Sequence, residues 1–473
     1  VRDLITQNEY NLIKKRQRKE YCKIDLLNYQ YQKVDEISGI VVGKPSFSNN
    51  ATSDIRRTCS ISLIPKERKY SVEYGAELWL DKYLQIYMGL ENLNGDIEWT
   101  NMGIYLINNP SQVYNSINNT ITIQGLDLMA KLTGLRNGNL EGIKYIIPQG
   151  SNVRSAIIEL ITEAGFTKYS VEEMYIDIDN SVTMNTPYEI SIDIGGTVYE
   201  LLSKLRDILP QYQMYFDVDG VFHFNLIPSG DNEQAMVNDD IWKYTLIEYT
   251  KNYDFENVKN VIEIYGKTHD VINYGEATLS NNIYSTTISN ITDLYDYLEV
   301  GFTTSGASSS PSLKVNELSA YQIINEDGTI PILLTNVYYV VRWSSSVSKW
   351  IFLGEVTPYA KIEETNQDSP FYINGTFGKV RIVLSGEEYD SINSSYLAKE
   401  RCKYELYTRC KLQDNVIINC VPIYWLDVNW VVEITLPNKQ GIEVTEKYLI
   451  KEISTSDTQS VTLMKYYPYY SEV

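Results

Sequence analysis

Apolar residues recur at every second position along Arg56–Ile64, and the run stops at Pro65. A strand points successive side chains to opposite faces, so this alternation describes a half-buried β-strand. The same period runs from 21 to about 125. It returns at 246–265 and from about 386 onward, with turn clusters breaking it at short, even intervals. Many short strands create many sheet edges, and a closed or nearly closed barrel removes them. Two such blocks in one chain constrain the fold more than any single motif does.

Between and around the blocks the texture changes. From about 136 to 245 the pattern is α+β. A helix is predicted from Val153 to about Ala164, with Gly165 as its stop, and a second over Val198–Ile208. Asp219-Gly220 between Gln213–Val218 and Val221–Leu226 reads as a hairpin turn. Its Asp217-Val-Asp-Gly run lacks the glycine position and late glutamate of a calcium loop. Residues 270–385 form a further β-rich block, with a low-complexity stretch at Thr304–Ser312 that reads as flexible. Asn108-Asn109-Pro110-Ser111 reads as a turn between Trp99–Ile107 and Thr120–Gln124, and Leu126–Leu132 as a short helix. Ser394–Tyr407 reads as a helix leading into strand.

The expected fold class is mainly β with α+β parts: two tube-like β-barrel domains, an α+β spacer domain and an inserted β-rich domain. The expected boundaries are an N-terminal arm at 1–20, the first barrel at 21–135 and the spacer at 136–245. The second barrel takes 246–269 and 386–473, and the insertion 270–385. A length of 473 residues suits three or four domains.

Composition narrows the chemistry. With 41 Lys+Arg against 61 Asp+Glu, the net charge of −20 excludes a basic nucleic-acid footprint for the whole chain. Forty Tyr, 10 Phe and 7 Trp argue against disorder. No window holds 18 consecutive apolar residues, so no membrane insertion by this chain is expected. The opening Val-Arg-Asp stretch shows no apolar signal region. The arm ends in a basic run, Lys14, Lys15, Arg16, Arg18 and Lys19, read as a solvated helix end or as a contact for an acidic neighbouring subunit.

Catalytic sets are scarce. His223 and His269 are the only histidines, too few for a multi-imidazole metal site. The five cysteines, at 22, 59, 402, 410 and 420, contain no C-x-x-C pair and read as buried thiols. No P-loop and no G-x-S-x-G elbow occurs. The carboxylate pairs Glu363/Glu364 and Glu387/Glu388 would point to opposite faces of a strand, and Asp177/Asp179 reads as a solvated acidic edge. The expectation is therefore no enzyme, with no catalytic, cofactor or metal residues. Arg56 and Arg57 are candidate inter-subunit ion-pair residues, because a guanidinium suits interfacial carboxylates. The aromatic strands Val337–Trp343 and Lys349–Glu355, joined through Ser344–Ser346, admit a second reading. In it, Trp343 and Trp350 contact glycans.

Several segments together resemble the baseplate hub family of phage tails, which includes the hub of contractile tails and the N-terminal hub region of siphophage tail-associated proteins. They are Tyr21–Leu27 with Ile55–Leu63, then Trp99–Ile107 with Asn119–Leu128. The last set, Val421–Asn429, Lys447–Ser454 and Val461–Pro468, is the most specific. The resemblance implies a homotrimer in which two tube-like barrels per copy present six similar barrels to a sixfold tail tube. It implies a tail tube or distal tail protein above, a spike, lysin or tip protein below, and a tape-measure protein in the lumen. DNA would pass transiently without specific binding, past a trimer of about −60 formal charge. The implied location is the virion tail tip, assembled in the bacterial host cytoplasm. The alternative is a cell-wall carbohydrate-binding or glycan-degrading tail tip protein.

Overall fold

The structure is a computed structural model and describes residues 7–466 apart from 16, 66–67, 115–118, 142–143, 176–182, 229–233, 412 and 439. Its largest element is a twelve-stranded sheet, and strands from both period-two blocks enter it. From one edge the order is Leu246–Asp254, Gln413–Cys420, Gln459–Lys465 and Glu443–Thr455, with Val431–Pro437 paired beside the last. It continues through Val41–Asn50, Arg57–Leu63, Asn119–Leu126, Ile97–Tyr114, Tyr83–Glu91 and Glu20–Leu27 to Lys33–Glu36. The seam between the blocks is antiparallel, with Thr455 opposite Phe47 and Ile453 opposite Asn49. Arg57–Leu63 buries every second residue, as its alternation requires.

One hydrophobic core lies under this sheet. Ile24, Ile61 and Ile86 of the first block share it with Val416, Ile434 and Leu463 of the second. The arm adds Leu12 and Ile13 from the helix Gln7–Ile13. Lys14 forms an ion pair with Asp240, to which Tyr10 also donates, and Arg18 Nη1 donates to Pro422 O at 3.0 Å. The described part of the basic run thus contacts its own chain.

The spacer builds a second core. Val153–Glu163 buries Val153, Ile157, Leu160 and Ile161 and is capped by Asn152, whose side chain accepts from Ser155 N. Val198–Arg206 starts with a Thr197–Glu200 capping box. The hairpin Tyr212–Phe216 with Phe222–Leu226 turns at Gly220, whose φ of +74° suits glycine. Asp217 Oδ1 accepts the backbone N–H groups of Asp219 and Val221, which is turn chemistry.

The insertion contains a closed barrel of the strands Tyr274–Ser280, Ile283–Thr286, Ser312–Val315, Tyr321–Ile324, Lys349–Glu355, Tyr338–Ser344 and Glu299–Thr304. Its core is separate, built on Tyr284, Phe302, Trp343 and Trp350. The fold class is mainly β with α+β parts, as expected.

Three local expectations differ. Asn108–Ser111 is not a turn but a bulge within the continuous strand Ile97–Tyr114, where Pro110 costs no ladder donor. Thr304–Ser312 is pinned to the barrel: Ser308 is buried, its N–H donates to Leu333 O, and its hydroxyl donates to Asn282 Oδ1 at 2.9 Å. The stretch 246–269 divides. Leu246–Asp254 joins the large sheet, whereas Val261–Tyr265 pairs with Tyr359–Glu363 and Arg381–Leu384. The reason is burial: Val261–Ile264 is covered on both faces, and Ile262 and Ile264 share the spacer's core with Leu397 and Leu406 of the helix Ser395–Arg409.

Candidate functional site

Arg57 is the first residue of the strand Arg57–Leu63, and its side chain leaves the sheet where three parts of the chain meet. Its Nη2 donates to both oxygens of Asp427, at 2.8 and 2.6 Å, and its Nη1 donates to Phe216 O. Its backbone N–H donates to Asp127 Oδ2 at 2.9 Å, and Asp127 also caps the short 3-10 helix Leu128–Lys131 through Met129 N. Arg56 Nη2 donates to Gln213 Oε1 at 2.7 Å, and its guanidinium lies 4.0 Å from the centre of the Tyr215 ring. Asn429 Nδ2 donates to the same Gln213 oxygen at 2.7 Å. The first block, the spacer hairpin and the second block therefore share one polar knot.

Both arginines are buried, at 5% and 4% exposure, so each depends on its partners. Burial, and after it the adjacent Arg57, lower Arg56 to about 10. Burial opposes the Arg57 charge as well, but Asp427 and Asp127 outweigh it and raise that group. Desolvation raises Asp127 despite its hydrogen bond from the Arg57 amide. Breaking such a buried pair costs about 3–5 kcal/mol, because the survivor keeps an uncompensated charge. Arg56 and Arg57, expected as inter-subunit residues, thus both hold partners within their own chain.

Trp343 and Trp350 lie in the barrel core at 6% and 1% exposure, edge to face with 5.3 Å between ring centres. Rings this enclosed offer no face to a sugar within this chain. Their hairpin matters for a second joint. Arg342 Nη1 donates to Pro187 O at 2.8 Å and Arg342 Nη2 lies 3.6 Å from Glu326, tying the barrel to the spacer. Asn393 Nδ2 also donates to Pro187 O, at 2.6 Å. Burial raises the Glu326 carboxyl, which Arg342 pulls down and which accepts from Ser394 Oγ at 3.1 Å.

The remaining candidates are structural. His223 Nε2 meets Asp217 Oδ2 at 2.8 Å, and His269 Nε2 meets Asn393 O at 2.7 Å. Glu363 pairs with Lys361 and Lys379, while Glu364 accepts from Asn366 N, so the two do not converge. Glu388 pairs with Arg401 at 3.5 Å. Asp177 and Asp179 lie outside the described residues. Among the described residues, no group of three or more His, Cys, Asp or Glu side chains is placed to hold a metal ion. No described helix is long and apolar enough to cross a membrane. Cys59, Cys402 and Cys420 are buried, while Cys22 and Cys410 are half-buried.

Sequence reasoning did not single out Gln213, Asp127 or Asp427. Asp427 lies 370 residues from Arg57, and no local pattern joins them.

A family described as a domain of unknown function, DUF5048, matches residues 368–470. No curated protein matches the chain. The solved structures it is similar to include proteins titled as tail proteins. The 43 kDa tail protein of prophage MuSo2 from Shewanella oneidensis is 9% identical, with a TM-score of 0.49 over 94% of this chain and 98% of that one. A tail protein from Neisseria meningitidis MC58 is 8% identical, with a TM-score of 0.48 over 94% and 96%. Prophage tail protein gp18 from Listeria monocytogenes EGD-e is 9% identical, with a TM-score of 0.46 over 93% and 94%.

Proposed function

We propose that this chain is a structural hub of a phage or phage-like tail tip, acting as a homotrimeric ring and not as an enzyme. One observation carries the reading: two period-two blocks stand side by side in a single sheet over one core, and among the described residues the strand path of that sheet ends in two open edges, Leu246–Asp254 and Lys33–Glu36. Unlike edges on one copy suit a head-to-tail contact, which closes into a ring when the rotation permits. The Leu246–Asp254 edge leaves Ile247, Tyr249 and Tyr253 exposed, apolar surface that an edge strand in a lone molecule would be expected to blunt.

In this reading three copies give six related blocks around a channel, adapting a sixfold tube to a threefold tip. The partners are a tail tube or distal tail protein above, a spike, lysin or tip protein below, and a tape-measure protein in the lumen. The excess negative charge keeps passing DNA from sticking. The site of action is the virion tail tip, after assembly in the host cytoplasm. Light scattering on the eluted protein tests the reading, together with particle images. A mass of three chains and a threefold ring are expected; a monomer at every concentration, absent from tail particles, would end it.

A further inference from the structure

Both blocks of the large sheet follow one strand path. In chain order the first block has Val41–Asn50, Arg57–Leu63, Tyr83–Glu91, Ile97–Tyr114 and Asn119–Leu126. The second has Leu246–Asp254, Gln413–Cys420, Val431–Pro437, Glu443–Thr455 and Gln459–Lys465. Numbered in that order, each block pairs its strands as first, second, fifth, fourth, third. Each fourth strand also bulges just past its last pair with the third. After Leu106, opposite Tyr83, the ladder to the fifth strand shifts between Asn108 and Ser111; after Leu449, opposite Val431, it shifts between Ile450 and Glu452. A bulge at the same place in both ladders marks the strands as counterparts.

The match extends to single residues. Leu106 and Leu449 lie opposite Leu126 and Met464, and four residues earlier on those fifth strands Thr122 and Ser460 lie opposite Ser111 and Ser454. Ser111 thus answers to Ser454. The second strands end in the buried Leu63 and Cys420, and five residues before them Thr58 and Asn415 lie opposite Ser48 and Asn252. Asn252 thus answers to Ser48. Within the chain Ser454 lies opposite Ser48, at the antiparallel seam between the blocks. Their counterparts lack such a neighbour. Among the described residues, 111–114 pairs only with Asn119–Leu126, and Leu246–Asp254 only with Gln413–Cys420. Val113 and Tyr114 are exposed on one, Tyr249 and Tyr253 on the other.

We propose that copies of this chain join by repeating the internal seam: 251–254 of one copy pairs, antiparallel, with the free flank of 111–114 in the next. The pairing satisfies backbone groups that both edges leave open. Lys251 and Asp254 meet no like charge, since 111–114 is Ser-Gln-Val-Tyr. The end strand Lys33–Glu36 lies outside the five strands that the blocks share, so the repeat selects the 111–114 flank in its place. Each seam then turns the sheet alike, and three copies supply six of them, three internal and three between copies. The inference rests on the ring proposed above and names its contact.

The test uses full chains carrying Ser111→Cys in one preparation and Asn252→Cys in another. Residues directly opposite in an antiparallel pair hold their Cβ atoms about 4.5–5.5 Å apart, close enough for a disulfide to form with a small adjustment. Mixed and mildly oxidised, the two should give a one-to-one covalent pair, at least tenfold above either preparation alone. A chain with both substitutions should give covalent rings of three. Val34→Cys mixed with Asn252→Cys probes the end strand instead. Hydrogen exchange on the unsubstituted chain is a second readout: amides in 111–114 and 251–254 should slow together, about tenfold, as concentration rises. Joint slowing without the Ser111–Asn252 link keeps the pairing and shifts its register. Three-chain particles that link through Val34, or that neither link nor slow at these two stretches, overturn this contact and leave the ring. A single chain at every concentration overturns both.

Discussion

The inserted barrel and the twelve-stranded sheet solve the same edge problem in opposite ways. The barrel closes on itself with seven strands and fills its interior with Tyr284, Phe302, Trp343 and Trp350. Among the described residues the sheet keeps two open edges; buried charge ties it to the spacer, Arg57 on Phe216 O and Arg56 on Gln213, and ties its two blocks together, Arg57 on Asp427. Closure makes the barrel self-sufficient, since every strand has both neighbours. Among the described residues, the strands at the two ends of the sheet's path lack one neighbour each. Its polar knot fixes the angle between blocks more than it adds stability, because desolvation offsets most of the attraction in a buried ion pair.

The comparison breaks most sharply at its two centres. Trp350→Ala should destabilise the barrel by about 3–5 kcal/mol, through lost burial and a cavity. Asp427→Ala should cost about 3–5 kcal/mol as well, but in the sheet and spacer, by leaving Arg57 buried without its carboxylate. Urea unfolding followed by near-ultraviolet dichroism and by hydrogen exchange separates the two. The first variant should loosen amides in 274–355 alone, the second those around 57, 216 and 427. A single shared transition lowered equally by both would show that the barrel and sheet unfold as one unit. The double variant Arg57→Met/Asp427→Leu should recover much of the Asp427→Ala loss, since it removes both charges together.

A smaller effect concerns the open edge. Ile247→Lys with Tyr249→Lys puts two cations on exposed positions of the strand Leu246–Asp254. Monomer stability should move by less than about 0.5 kcal/mol, as for surface substitutions elsewhere. Self-association should weaken about tenfold or more, read by sedimentation across a concentration series. Unchanged association would remove this edge from the ring contact and leave Lys33–Glu36 to be tested alone.

How much of this was legible in the sequence follows from the range of the forces involved. Arg57–Leu63 and the hairpin Tyr338–Ser344 with Lys349–Glu355 were readable because alternation is local and each strand has one wet face or edge. The Val198–Arg206 helix was readable from its stripe and caps. Val261–Tyr265 was assigned to the wrong neighbours because a strand covered on both faces carries no alternation to say which sheet it joins. Asn108–Ser111 read as a turn because bulges and turns draw on the same residues, and only the partner strand tells them apart. The arginine knot was half visible. Adjacent arginines at a strand start suggested ion pairing, but the partners came from residues 213 and 427, which only the tertiary fold brings near.

The smallest effect lies at the arm, where a charged contact is partly open to water. Lys14 pairs with Asp240, which also accepts from Tyr10, and the Tyr10 ring stacks on Trp425 at 6.2 Å. Burial acts against the Asp240 charge, but the bonds from Lys14 and Tyr10 prevail and hold its carboxyl below its ordinary value of 3.8. A depressed carboxylate stabilises the fold above its unfolded value and loses that contribution as pH falls through the folded value. The contact should therefore be intact above about pH 4 and fade below it. Solvent screening holds its worth to about 0.2–1 kcal/mol. Asp240→Asn should lower Tm slightly at pH 6, and the gap to the parent should close as the pH approaches 3. A gap that stays constant over that range would mean that Leu12 and Ile13 alone seat the arm, with the ion pair contributing nothing.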